Sequence, residues 1–160
     1  MDHILAIDYD KCTGCRSCEM ACSIAHEKTF NPARGRIQVV KQERENIIAP
    51  IVCLQCDSPL CQDACPNGAI VRNELGVLYV ERETCVGCMN CTTACIYGGI
   101  AIDPITRKAI KCDLCLGDPK CVGACEYGAI SYLAKEEGIQ ERHVGVKGVI
   151  EIKSPSKGGI

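Results

Sequence analysis

Residues 85–95 read Cys85-Val86-Gly87-Cys88-Met89-Asn90-Cys91-Thr92-Thr93-Ala94-Cys95, a C-x2-C-x2-C-x3-C run. A chain spans at most about 3.3–3.6 Å per residue, so three thiols at two-residue gaps can bend around one compact centre. The fourth, beyond a gap of three and inside a helical turn, can point elsewhere. Outward from this stretch, the same run recurs at Cys12, Cys15, Cys18 and Cys22. Two further sets, Cys53, Cys56, Cys61, Cys65 and Cys112, Cys115, Cys121, Cys125, also begin C-x2-C and end C-x3-C, with middle gaps of four and five residues. The four sets use all sixteen cysteines of the 160-residue chain. Sixteen thiolates at four per cubane imply four 4Fe-4S clusters, because the compact run is that of iron–sulfur proteins carrying two cubanes.

Repetition extends past the cysteines. Cys65-Pro66-Asn67-Gly68-Ala69-Ile70, Cys95-Ile96-Tyr97-Gly98-Gly99-Ile100 and Cys125-Glu126-Tyr127-Gly128-Ala129-Ile130 share C-x2-G-[AG]-I. A glycine three residues after the fourth cysteine can take positive φ, end a helical turn and launch a strand at the isoleucine. Sets one and three also share an entry, Asp10-Lys11-Cys12-Thr13-Gly14-Cys15 and Glu83-Thr84-Cys85-Val86-Gly87-Cys88. The order compact, wide, compact, wide reads as a duplicated two-set unit.

Rival uses of cysteine fit less well. A disulfide scaffold expects secretion, and residues 1–25 show no basic region followed by an apolar one. Structural zinc expects two separated knuckles per ion, whereas sets one and three are too compact for that. A zinc-stabilised interaction module is the alternative of a different class. The C-x3-C-x2-C run shared by radical enzymes that use S-adenosylmethionine does not occur, so every iron can have a thiolate. That favours moving electrons over binding substrate.

Composition points the same way. Aromatic residues make up 4% of the chain, with one Phe and no Trp, so the side chains that usually dominate core burial are scarce. Ligation that occurs only in the ordered chain would add its free energy to folding, and the metal-free chain is expected to be unfolded or molten. The formal charge of −2 becomes roughly −10 with about −2 per oxidised cluster. An acidic holoprotein disfavours a nucleic-acid partner. No stretch approaches 18 apolar residues, so no membrane span is expected, and a reducing cytoplasm is the expected location.

Short apolar or alternating runs predict strands over 4–7, 36–40, 47–52, 77–80, 109–111 and 129–133. Turn signals lie between them at 73–76 and 103–104, and a helix is expected over 18–26. The fold class expected is α+β: a duplicated bacterial-ferredoxin-like architecture of two dicluster modules, with short strands and helical turns wrapped around clusters. Residues 134–160 hold no cysteine. They form a C-terminal extension with an alternating run at 144–152, read either as a partner-contacting segment or as a frayed end after one added strand.

Over residues 4–133 the chain resembles the four-cluster, double-ferredoxin electron-transfer subunits of molybdenum and tungsten oxidoreductases, such as those of dimethyl sulfoxide reductase and formate dehydrogenase. In that family the first set pairs with the fourth and the second with the third. The resemblance therefore implies cluster 1 on Cys12, Cys15, Cys18 and Cys125, and cluster 2 on Cys112, Cys115, Cys121 and Cys22. It implies cluster 3 on Cys53, Cys56, Cys61 and Cys95, and cluster 4 on Cys85, Cys88, Cys91 and Cys65. An outer module (1–50 with 108–133) and an inner module (51–107) follow from that pairing. Only Cys65 is followed by proline, and the family's long insertions and terminal membrane-contact segment are absent. The stretch 22–32, Cys22-Ser23-Ile24-Ala25-His26-Glu27-Lys28-Thr29-Phe30-Asn31-Pro32, is similar to small cytosolic members that partner tungsten enzymes of the aldehyde:ferredoxin oxidoreductase type, aromatic-ring reductases among them.

What the resemblance implies is a non-catalytic subunit of anaerobic metabolism. It would carry electrons one at a time between a large catalytic subunit and a second redox protein, a ferredoxin or flavoprotein. A free-standing polyferredoxin serving hydrogenase or carbon monoxide dehydrogenase is the alternative. Head-to-tail self-association is a further expectation, since a linear wire has two ends. Outside the ligand set, His26 reads as a capping or surface histidine, and His3 and His143 carry no sharper signal. Arg34, Arg36, Lys41 and Arg44 read as a solvated basic face, with docking of an acidic partner the other reading. Asp57, Asp63, Asp113 and Asp118 lie near cysteines, where negative charge would lower a cluster potential.

Overall fold

The computed structural model describes residues 2–42, 44 and 47–137; His143 and the strand expected at 144–152 lie outside them. In chain order the strands are β1 (His3–Ile7), β2 (Ile37–Gln42), β3 (Ile47–Val52), β4 (Ile70–Arg72), β5 (Leu78–Val80), β6 (Ile100–Ile102), β7 (Ala109–Lys111) and β8 (Ile130–Ala134). The helices are α1 (Ser17–Glu27), α2 (Leu60–Asp63), α3 (Asn90–Ala94) and α4 (Lys120–Gly123). A short 3-10 turn occupies Pro32–Arg34, and Leu114, Cys115 and Leu116 form a left-handed turn with φ of 58°, 48° and 57°. The result is the α+β class, with each strand expected within the described residues present to within two residues and α1 one residue longer at each end than expected.

Every strand belongs to a two-stranded antiparallel ribbon: β2 with β3, β4 with β5, β6 with β7, and β1 with β8. Three of these join near neighbours in sequence. The fourth sets Ile7 opposite Ile130 and His3 opposite Ala134, closing the chain on itself. Local chemistry explains the ribbons. In β2, buried Ile37 and Val39 alternate with half-buried Gln38 and Val40, the period-two signature of a strand with one covered face. Gly68, Gly98 and Gly128 take φ of 62°, 64° and 64°, turning each helical end into the next strand.

A two-stranded ribbon is marginal alone, so packing must supply the rest. α1 lies on α4 and α2 on α3. The apolar interior falls in two groups, one around Leu5, Ile37, Val39, Leu114 and Ile130, the other around Ile70, Leu78, Ile100 and Ala109. Cysteines are members of both: Cys18, Cys22, Cys53, Cys112 and Cys121 in the first, Cys61 and Cys91 in the second.

Ion pairs tie distant segments. Arg34 forks onto Asp103, with Nε to Oδ1 at 3.0 Å and Nη2 to Oδ2 at 2.7 Å, and also reaches Glu27 at 2.8 Å. Arg82 pairs with the other face of Glu27. Arg36 pairs with Asp113. The basic stretch is therefore not a solvated face throughout. The Arg34 side chain is 11% exposed against a carboxylate that is fully covered, and only Lys41 and Arg44 stand in solvent. Among the described residues no helix is long and apolar enough to cross a membrane.

Candidate metal centres

The compact loops share a backbone design. Gly14 and Gly87 have φ of 68° and 74°, and Arg16 and Met89, just before α1 and α3, both have φ of 66°. These left-handed residues curl the loop so that successive thiols face one point. A Cβ on Gly87 would come within 2.4 Å of the Arg107 carbonyl oxygen, so the loop is also tucked under the neighbouring turn. The wide loops have their own match: Gln55 and Leu114, each two residues past the first cysteine, take φ of 53° and 58°.

Four cavities result. One is lined by Cys12, Cys15, Cys18 and Cys125, a second by Cys22, Cys112, Cys115 and Cys121, and a third by Cys65, Cys85, Cys88 and Cys91. A larger, more open one is lined by Cys56, Cys61 and Cys95, and Cys53 is near enough to raise the Cys61 thiol. Each cavity draws sulfur from two separate stretches of chain.

Backbone N–H groups aim at the sulfurs in matched positions. Ala69 donates to Cys65 at 3.2 Å and Ala129 to Cys125 at 3.3 Å; Gln55 to Cys53 and Leu114 to Cys112, both at 3.4 Å. Arg36 donates to Cys22 at 3.2 Å and Ala109 to Cys85 at 3.4 Å. Such donors stabilise sulfur that carries negative charge. As bare thiols several of the buried members resist ionisation. Burial, reinforced by neighbouring sulfurs or by Glu19, pushes Cys18 and Cys121 up to about 12 and Cys61 to about 11, and raises Cys112 strongly. Clustered thiols with aimed donors, several of them buried, fit a cationic polynuclear centre that draws the thiolates out. Soft sulfur sets of four match iron–sulfur ligation. Cys15 and Cys88 are the exposed members.

His26 is not a surface residue. Its side chain is 13% exposed, and its ring lies between two sulfurs, with Nδ1 at 3.7 Å from Cys22 Sγ and Nε2 at 3.8 Å from Cys115 Sγ. Nε2 also meets Asp113 Oδ1 at 3.0 Å. The Asp113 carboxylate and both sulfurs raise the imidazole to about 11. Burial works against the Asp113 charge, but the His26 hydrogen bond and the Arg36 guanidinium hold that carboxyl well below the usual range. Asp113 is thus compensated by two cations rather than adding bare negative charge. Asp57 and Asp118 lie exposed in pairs with Lys135 and Lys120, and Asp63 is exposed. His3 stacks on Tyr132, with ring centroids 5.2 Å apart.

Ferredoxin-like ribbons wrapped around sulfur-lined cavities define a class, the iron–sulfur electron-transfer proteins. Within it the chain belongs to the 4Fe-4S dicluster domain family, whose profile matches residues 44–135; a 4Fe-4S binding domain profile matches residues 3–23. The electron transport protein HydN of Escherichia coli (strain K12) is 40% identical over 101 residues, covering 57% of this chain and 54% of that one. The polyferredoxin-like subunit of aliphatic sulfonate oxidoreductase from Pyrococcus furiosus is 39% identical over 88 residues, covering 54% and 50%. The chain spans about half the length of these curated relatives. A solved structure titled active site complex BamBC of benzoyl coenzyme A reductase, as isolated, superposes with a TM-score of 0.51 at 28% identity, covering 93% of this chain and 89% of that one.

Proposed function

We propose that this chain is a non-catalytic electron-transfer subunit that holds four 4Fe-4S clusters and conducts between a large catalytic oxidoreductase subunit and a second redox protein, a ferredoxin or flavoprotein. Cluster 1 sits on Cys12, Cys15, Cys18 and Cys125; cluster 2 on Cys112, Cys115, Cys121 and Cys22; cluster 3 on Cys53, Cys56, Cys61 and Cys95; cluster 4 on Cys85, Cys88, Cys91 and Cys65. The observation that carries the reading is the set of four cavities, each lined by sulfurs from two chain segments. A bound cluster supplies a one-electron couple.

The residues do the rest. Backbone amides hold negative charge on the sulfurs, and the apolar groups exclude water from the inner ones. Cys53 raises the Cys112 thiol, so sulfurs of clusters 2 and 3 are neighbours and the order 1-2-3-4 forms one path. Exposed Cys15 and Cys88 stand at its two ends, where partners would dock. In this reading residues 1–50 with 108–133 form the outer module and 51–107 the inner one, and 134–160 contact the partner. The likeness to the BamBC structure and to the polyferredoxin-like subunit supports a tungsten or molybdenum enzyme of the aldehyde oxidoreductase type as the catalytic partner, in an anaerobic cytoplasm.

Anaerobic purification from the native source tests this. About sixteen irons and sixteen sulfides per chain, with co-elution alongside a large tungsten- or molybdenum-containing subunit, are expected. Elution of the iron-loaded chain alone would favour a free-standing polyferredoxin, and a colourless zinc protein would overturn the proposal. Filaments in negative-stain images would reveal head-to-tail self-association; discrete particles would exclude it.

A further inference from the structure

Lys111 ends β7 with its side chain 1% exposed. Its ammonium donates to two carbonyl oxygens, Leu78 at 2.7 Å and Cys112 at 3.3 Å. Among the described residues no carboxylate is paired with it. The other polar side chain at this point is Gln55, also 1% exposed. Its Nε2 donates to the same two carbonyls at 3.2 and 2.7 Å, and its Oε1 accepts from Leu78 N at 2.8 Å. Gln55 satisfies dipoles and brings no charge. Burying an ammonium without a countercharge is strongly unfavourable, so a negative group close by is what would keep this amine charged.

The fold does not itself demand a lysine here. In the duplicated unit, the residue preceding the first cysteine of a wide set is Lys111 in set four and Val52 in set two, and Val52 is buried as an ordinary core residue. Sulfur lies within electrostatic reach of Lys111. The Cys61 thiol feels its charge as a downward pull, and Cys112, whose carbonyl it holds, has Cys53 for a neighbour. The ammonium therefore lies where the sulfurs of sets two and four meet.

We propose that the Lys111 ammonium is the internal countercharge of the two middle clusters, those on Cys53, Cys56, Cys61, Cys95 and on Cys112, Cys115, Cys121, Cys22, and that it raises their reduction potentials. This rests on the four-cluster reading above. Each step passes one electron from a cluster to its neighbour; no bond forms or breaks. Reduction adds negative charge, and a fixed cation in a dry site favours the more negative state.

The test is a redox titration of the anaerobic holoprotein followed by electron paramagnetic resonance, with iron counted in every sample. In K111Q, two of the four potentials should fall by at least tenfold in the reduction equilibrium, about 59 mV for one electron, and the other two by less than half as much. K111R, which keeps the charge, should stay near wild type. Q55E, which sets a carboxylate beside the ammonium, should lower the same two potentials. Unchanged potentials in an iron-replete K111Q overturn the inference and leave the four-cluster reading standing. A wild type with far fewer than sixteen irons overturns that reading instead, whatever Lys111 does. If K111Q loses iron while K111R keeps it, the positive charge is required for the clusters to be held, as proposed; if both lose iron, shape rather than charge is what matters and the inference fails.

Discussion

Set one with its helix and set three with its helix start from the same loop, yet four residues past the fourth cysteine the first carries His26 and the second Gly99. α1 runs on through His26 to Glu27, whereas α3 stops at Ala94, before Cys95. In the first half the imidazole fills the space between Cys22 and Cys115. In the second, Gly99 instead lets the Cys53 backbone approach, so close that a Cβ there would lie 2.6 Å from Cys53 Cα. The wide sets diverge at two matched positions as well, Val52 against Lys111 and Leu114 against Gln55. Duplication preserved the loops that place sulfur. Divergence fell on the side chains that set charge around the sulfur and on the seam between the halves.

Removing iron should erase the comparison altogether. Chelation under anaerobic conditions is expected to abolish native near-UV and most far-UV circular dichroism in both halves, because the apolar groups are small and interleaved with ligating sulfur; a native spectrum after iron loss would show that the apolar contacts suffice. A sharper probe sets G87A against G14A. Left-handed backbone costs either alanine about 1–2 kcal/mol, but the Gly14 Cβ meets side chains, the flexible end of Lys41 at 2.3 Å and an Ile48 methyl at 2.8 Å, while the Gly87 Cβ meets a backbone carbonyl at 2.4 Å. Thermal unfolding of the holoprotein should therefore show G87A as the more damaged, with iron lost from the third set first.

Asp103 tests the seam. D103N should lower stability by about 1–3 kcal/mol at pH 7 by weakening the Arg34 fork. The Arg34 hydrogen bonds hold the Asp103 carboxyl well below its ordinary range. Its contribution is thus complete above an unfolded value of about 3.9 and declines as pH falls below it. The gap in melting temperature between wild type and D103N should accordingly narrow from pH 7 toward pH 3.5, and a constant gap would refute the ionic account. The smallest effect is expected for H26Q, which removes a ring aimed at Cys22 and Cys115. One cluster potential should fall by less than a tenfold change in equilibrium, under about 59 mV, with no counterpart in the half that carries Gly99.

Most of the ribbons, the glycine turns and the grouping of thiols into sets were legible because they depend on spacing over a few residues. Pairings across the chain were not. Arg34 and Arg36 look like surface charge until their partners Asp103 and Asp113, 69 and 77 residues away, are brought in. His26 did leave a signal: Cys18, Cys22 and His26 stand four apart and share one face of a helix, and the face that carries two cysteines is an interior one. Lys111 left none, since Ala109-Ile110-Lys111 reads as a strand with a charged end, and its burial comes from two distant segments meeting over it.

The β1–β8 ribbon has a consequence for biosynthesis. A nascent chain leaves the ribosome N-terminus first, at about 5–20 residues per second, and β1 must wait for β8, the last described strand to emerge. Under the proposed ligand pairing, clusters 3 and 4 draw on residues 53–95 alone and have all their thiols available early, whereas clusters 1 and 2 wait for Cys125 and Cys121. Iron should thus be loaded from the middle of the polypeptide outward. A transcript cut short before codon 112 would yield a chain able to carry clusters 3 and 4 alone.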